Sequence, residues 1–190
     1  MANWLIAGLG NPGSQYEHTR HNVGFWWLDQ LADDLGATFS VVAKFHGQLA
    51  QCPMSEHKLF LLKPSVFMNR SGQSVAAVAN FYKIPLENCL IIHDELDLPT
   101  GTARLKRGGG HGGHNGLRDI IAQTGGKDFL RCRLGIDHPG DSSQVSNYVL
   151  SKPSQADRRK IVTAIDDSLR VLPDILSGDL DKAMNWLHSQ

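Results

Sequence analysis

Apolar side chains recur along this chain with two periods, and the two alternate. Residues 3–9 (NWLIAGL) form a short apolar run that predicts a first strand ending on a glycine loop. A polar loop, Gly10 to His21, follows. From Asn22, a candidate helix cap, apolar residues at Phe25, Leu28, Leu31, Ala32 and Leu35 share one face of a helix reaching Leu35. Residues 38–63 read as three short strands, broken near Lys44–Phe45 and Ser55–His57 and stopped at Lys63–Pro64. The loop PSVFMNRSG leads into a helix over about residues 74–82, where Val75, Val78, Ala79 and Tyr82 have helical spacing. Residues 89–93 (CLIIH) are a continuous apolar run, as in a buried central strand. A strand over 102–106 precedes a run of glycines, Asn115 is placed to cap a helix to about Gln123, and residues 129–136 return as a strand. The C-terminal part is helical. Ser154 and Asp157 have the spacing of a capping box, and Ile161, Ala164, Ile165, Leu169 and Leu172 form a stripe that Pro173 ends or kinks. Asp179 to His188 forms a last short helix.

Strands thus alternate with helices except in the hairpin-like stretch at 38–63. The expected fold is α/β, one domain over residues 1–190, with a twisted mixed β-sheet flanked by α-helices on both faces. The Gly- and Ser-containing stretch 137–147 reads as a mobile loop, a candidate lid.

Composition narrows the class. With 190 residues, 41% of them hydrophobic, the chain can build a real core. No apolar stretch nears the roughly 20 residues that span a bilayer. The N-terminus lacks the basic start of a secretory signal, so the expected location is cytoplasmic. Cys52, Cys89 and Cys132 lie far apart with no C-x-x-C pair, which predicts buried thiols rather than a disulfide framework or a zinc site. Nineteen basic and 19 acidic residues cancel, which alone argues against a polyanionic partner. Their distribution argues otherwise. Residues 101–135 hold Arg104, Lys106, Arg107, Arg118, Lys127, Arg131 and Arg133 against only Asp119 and Asp128. Such a local basic patch can meet a few phosphates.

Gly8-Leu9-Gly10-Asn11-Pro12-Gly13 matches a dinucleotide-binding fingerprint, but its context does not fit. Helical spacing starts too late to bring a helix N-terminus to a pyrophosphate, and no second strand ends in an acid about 20 residues on. The glycines read better as a place of close backbone approach, with Asn11 pointing inward.

Four segments place polar groups beside strands or helix starts: 8–22, 67–72, 93–99 and 108–116. Asn11, Asn69 and Asp94 each follow a predicted strand, so their loops can converge on one crevice. A histidine beside a carboxylate is the simplest hydrolytic pair, and Asp94, anchored at the end of a buried strand, suits that partnership with His21. His93 is expected to point into the sheet or pack behind Asp94. There is no G-x-S-x-G elbow and no cysteine with a helper, which favours activated water over a covalent nucleophile. Asn11, Asn69 and Asn115 suit recognition of amide groups and stabilisation of an oxyanion. The segment 108–116 contains six glycines with His111 and His114. That H-x-x-H pair lacks a third ligand of suitable spacing, so no metal is expected. Close backbone approach to a bulky ligand, with Lys106 and Arg133 near a phosphate, fits better.

The runs GLGNPGSQYEHTRHNVG, KPSVFMNRSG, HDELDLP, GGGHGGHNGL and RCRLGIDHPGD, in that order, resemble bacterial peptidyl-tRNA hydrolases. The resemblance extends from Leu5 to about Leu187 and weakens after Lys152. It implies a metal-independent, cofactor-free monomer that cleaves the ester between a peptide and the 3′ end of tRNA, recycling tRNA from stalled translation. It implies His21 as general base and Asp94 as its orienting carboxylate, and the expected catalytic set is completed by Asn69 and Asn11, whose amides hold the water or the oxyanion. Asn11 would select an N-blocked peptide. Tyr16, Phe67, Met68, Asn69 and Asn115 would line the site for the peptide and the acceptor end, and Lys106 and Arg133 would clamp the 5′-phosphate. Val66 departs from the threonine of the family pattern. Two other classes compete. A tRNA-binding module without catalysis would lack His21 or Asp94, and a general esterase would turn over simple esters without tRNA.

Overall fold

The computed structural model describes residues 2–190 and is built on one seven-stranded sheet. The strands are β1 (Ala2–Gly8), β2 (Ser40–Val42), β3 (Gly47–Met54), β4 (His57–Pro64), β5 (Cys89–Glu95), β6 (Ala103–Arg107) and β7 (Leu130–Gly135). Their order is β2-β3-β4-β1-β5-β7-β6. The inner four, β4, β1, β5 and β7, run parallel, and antiparallel pairings flank them on both sides. The sheet is therefore mixed, as the alternating pattern predicts.

Period-2 alternation sends the side chains of β1 into two cores. Trp4 and Ile6 pack with α1 (Val23–Leu35), α5 (Gln155–Arg170), α6 (Leu172–Leu176) and α7 (Leu180–Leu187). Leu5, Ala7 and Leu9 pack with α2 (Ser71–Phe81) and α3 (Asn115–Thr124) on the other face. All three cysteines are free and buried. Among the described residues no helix is long and apolar enough to cross a membrane.

Local differences from the sequence pattern have local causes. Helix α2 starts at Ser71, before its first apolar repeat, because its opening turn is pinned by polar contacts. Ser71 Oγ donates to the Met68 carbonyl, and the Gly72 N–H donates to Asp119 Oδ2 at 2.8 Å. The stretch 137–147 is not one loop. A 3₁₀ turn (Ser142–Gln144) runs into α4 (Val145–Val149), and Asp141 Oδ1 caps that turn by accepting from the Ser143 N–H. Pro173 does end a helix. Helix α5 stops at Arg170, and Pro173 lies in the first turn of α6, where its missing N–H costs nothing.

Because four strands are parallel, the chain leaves β1, β4, β5 and β7 at one edge of the sheet, where α/β proteins form their crevices. At that edge β1 meets α1 backbone to backbone. A Cβ on Gly8 would lie 2.2 Å from the Gly24 carbonyl oxygen, and one on Gly24 would lie 2.5 Å from the Leu9 nitrogen. The glycines at 8 and 24 thus serve helix–strand contact. Gly24→Ala is expected to cost roughly 1–3 kcal/mol through overpacking, read as a fall in Tm. An unchanged Tm would show that the two backbones can separate.

Candidate active site

Asp94 ends the buried run of β5 and is only 3% exposed. Both its oxygens are taken by histidines. Oδ2 accepts from Nδ1 of His21 at 2.8 Å, and Oδ1 accepts from Nε2 of His114 at 2.8 Å.

His21 lies in a single 3₁₀ turn, Arg20–Asn22, immediately before α1. Its neighbours hold it from both sides. The Arg20 N–H donates to the Ser151 carbonyl at 3.1 Å, and the Arg20 guanidinium lies 4.1 Å from the Tyr148 ring centroid. Asn22 stands at the cap position of α1 but does not cap it. Its side-chain amide instead makes two 2.9 Å bonds to the backbone N–H and carbonyl of Asn11. That exchange ties the loop after β1 to the turn that carries His21.

His114 is the cap that the spacing assigned to Asn115. Its Nδ1 accepts from the N–H groups of Gly116 and Leu117, at 3.1 and 3.3 Å. A ring nitrogen that accepts two backbone N–H groups keeps its lone pair, so the His114 proton sits on Nε2 and faces Asp94. In His21 the same logic puts the proton on Nδ1, which leaves Nε2 as a free base. Burial works against a charged His21. The charge and hydrogen bond of Asp94 overcome it and hold the imidazole above its ordinary value. Burial likewise opposes ionisation of Asp94, yet His21 and His114 hold its carboxyl well below the usual carboxylate range. His93 packs behind this group. Its Nδ1 donates to the Asp94 carbonyl at 2.8 Å, and burial with the nearby His114 lowers its pKa to about 3.

The donor atoms of His21, Asp94 and His114 all lie within 4.8 Å of one another, a spacing that also suits a cation. A metal there would need the Nε2 lone pair of His114. Its proton would then move to Nδ1, against the N–H groups of α3. The donor set therefore fits two protons better than an ion. His111 stays out of the cluster, since its Nδ1 accepts from the Gly113 N–H within its own loop.

The dyad opens into a groove of about 530 Å3, lined by Asn11, His21, Met68, Asn69, Asp94 and Asn115. Phe67 and Leu150, 57% and 41% exposed, add apolar walls. Asn11 Oδ1 accepts from the Met68 N–H at 2.7 Å, which fixes the side chain and leaves its amide NH2 available as a donor. A larger groove of about 650 Å3 runs between α1 and α5 past Trp26, Asp33 and Arg158, but its one His–carboxylate pair among the described residues, His18–Glu17 at 3.7 Å, is exposed to solvent rather than buried.

The family profile described as peptidyl-tRNA hydrolase matches residues 5–190. This chain belongs to the peptidyl-tRNA hydrolase family. A peptidyl-tRNA hydrolase of Methylobacillus flagellatus is 56% identical over 98% of this chain and 96% of its own length. One from Coxiella burnetii is 55% identical over 97% of each chain. The crystal structure of peptidyl-tRNA hydrolase from Acinetobacter baumannii superposes with a TM-score of 0.95 at 48% identity, covering 97% of this chain and 94% of that one.

Within this peptidyl-tRNA hydrolase fold, the groove gathers seven of the ten residues singled out in the sequence: Asn11, His21, Phe67, Met68, Asn69, Asp94 and Asn115. Tyr16 stands outside the lining, edge-on to Phe67 with ring centroids 6.4 Å apart. Lys106 and Arg133 lie on a separate basic face. The register pairs Arg104 with Arg133 and Lys106 with Arg131, so all four side chains leave the β6–β7 ribbon on the same side. Arg133 pairs with Glu95 at 3.8 Å, and Glu95 lines the groove, which links the two regions. His114 is the residue that sequence reasoning missed. Its signal was its place one residue before a helix, a capping position, rather than its spacing from His111.

Proposed function

We propose that this protein hydrolyses the ester between a peptide and the 3′ end of tRNA, with His21 as general base and Asp94 as its orienting carboxylate. The observation that carries the reading is the 2.8 Å His21–Asp94 contact at the floor of the groove in a chain of this family. Nε2 of His21 takes a proton from water as the water oxygen attacks the ester carbonyl carbon. The tetrahedral intermediate then collapses, and the same proton passes to the departing ribose oxygen. An ester leaves more readily than an amide, so one His–Asp pair is enough.

Asn11 offers a donor. It suits the carbonyl of the residue or acyl group that blocks the substrate's amino end, whereas a free ammonium offers that NH2 nothing to donate to. Asn69 and Asn115, both exposed in the groove, are left to hold water, oxyanion and acceptor end. Phe67, Met68 and Tyr16 form the apolar side for the peptide. Lys106 and Arg133 clamp the 5′-phosphate of the acceptor stem, a role suited to their shared basic face. Residues 1–190 act as one catalytic domain, working as a cytoplasmic monomer without metal or cofactor.

The deciding experiment compares N-acetyl-aminoacyl-tRNA with its unblocked counterpart, in chelator and across salt. Only the blocked substrate is expected to turn over, unaffected by chelation and less efficiently as salt rises. Equal turnover of simple esters would make the protein a general esterase. Binding without turnover would make it a tRNA-binding module.

A further inference from the structure

The basic face holds one cation that no phosphate can touch. Arg131 is 2% exposed, on β7, directly opposite Lys106 of β6. Among the described residues no carboxylate lies within ion-pair distance of it, and its Nε has no partner. Its guanidinium rests 4.5 Å from the Phe129 ring centroid and donates to three backbone carbonyls, those of Gly109, Gly110 and Lys127. Carbonyl dipoles satisfy its terminal NH groups but not its Nε–H, and the charge of Glu95, which pairs with Arg133, reaches it only from beyond ion-pair distance, an arrangement a fold does not keep cheaply.

What the arginine holds is the start of the glycine loop. Gly109 has φ +98, and a Cβ built on it would lie 2.8 Å from both Cε and Nζ of Lys106. The end of the lysine side chain therefore lies across the bare backbone of Gly109. A lysine ammonium on an open strand face otherwise swings freely on a four-carbon stem. Here the chain of contacts runs from Arg131 to the Gly109 carbonyl, and from the Gly109 backbone to the Lys106 ammonium.

We propose that Arg131 is a positioning residue for the tRNA 5′-phosphate: it fixes the Gly109–Gly110 backbone, which in turn fixes the Lys106 ammonium, and its own unpaired charge adds to the field the phosphate meets. This rests on the reading of Lys106 and Arg133 as the phosphate clamp. The buried charge also explains why arginine, with its planar fork of donors, stands where an apolar residue would fill the space: only the fork reaches successive carbonyls at once.

The test measures KM and kcat for N-acetyl-aminoacyl-tRNA with and without its 5′-phosphate, for the parent protein, Arg131→Lys, Arg131→Met, Gly109→Ala and Lys106→Ala. Arg131→Met is expected to raise KM about tenfold on the phosphorylated substrate, the order of a lost phosphate contact. Its kcat should stay within about twofold, and its KM should match that of the parent once the phosphate is removed. Arg131→Lys should recover part of the loss. Gly109→Ala, which keeps the Arg131 side chain but strains the left-handed backbone that links it to Lys106, should show the same phosphate-dependent signature even if Arg131→Met does not fold. A rise in KM that is equal on both substrates, or a parallel fall in kcat, would reduce Arg131 to a structural residue and overturn the proposal. If Lys106→Ala itself shows no phosphate-dependent loss, the clamp reading falls and takes this one with it. A loss in Lys106→Ala without one in Arg131→Met and Gly109→Ala overturns this proposal alone.

Discussion

His21→Ala is expected to lower kcat for N-acetyl-aminoacyl-tRNA by about 10²-fold or more, the usual contribution of a positioned general base. KM should change little, because the proposed phosphate clamp, Lys106 and Arg133, lies on another face. The fold should survive, since His21 is partly exposed at the groove and Asp94 keeps its bond to His114. In the parent protein kcat/KM should rise with pH as His21 loses its proton. The midpoint should lie above the ordinary imidazole value of about 6.5, because Asp94 raises it. That acid limb should vanish in the alanine variant. Stability carries the opposite sign. A raised folded-state value means that the His21–Asp94 pair contributes fully below about 6.5, and that contribution is lost as pH rises through the folded value. Near full activity in His21→Ala, or an acid limb that persists there, would end the general-base assignment.

Asp94→Asn, which barely changes shape, is expected to cost about as much, roughly 10²- to 10⁴-fold in kcat. The reason lies in His114. Its Nδ1 is committed to the N–H groups of Gly116 and Leu117, so its Nε2 must donate, and the residue at 94 must give it an oxygen. An aspartate has a second oxygen for His21, whereas an asparagine has only its NH2. Nδ1 of His21 then becomes an acceptor and its proton moves to Nε2, where the base is needed. The variant should hold His21 in place in the wrong tautomer. Ring nitrogen chemical shifts would show the proton on Nε2. Because the two side chains act as a unit, the double variant with His21→Ala should be no slower than either single change. A loss smaller than tenfold would mean that the ring is free to choose its tautomer.

The apolar runs of β1 and β5 announced buried strands because both faces of a central parallel strand are covered. The same runs could not say that β4 and β5 flank β1, since periodicity identifies faces and not partners. The loops bearing Asn11, Asn69 and Asp94 were expected to converge, and the parallel register carries them to one groove. Asn22 and Asn115 show where residue type misleads. Both occupy positions at helix starts where asparagine commonly caps. Asn22 instead holds the Asn11 backbone, and a histidine caps α3 while donating to the buried carboxylate of Asp94. A residue with two polar ends can answer two requirements at once, and no one-dimensional pattern records the second.

The parallel arrangement also sets one end of the sheet far from the groove. The turn between β3 and β4, Ser55–Glu56, lies where β4 begins, at the opposite end of the strands from the groove, and Ser55 already adopts a left-handed backbone there (φ 53). A fluorophore, affinity handle or surface anchor grafted into this hairpin would stand a full strand length from the groove. It would leave the groove open, which makes the turn the natural attachment point for watching single turnovers.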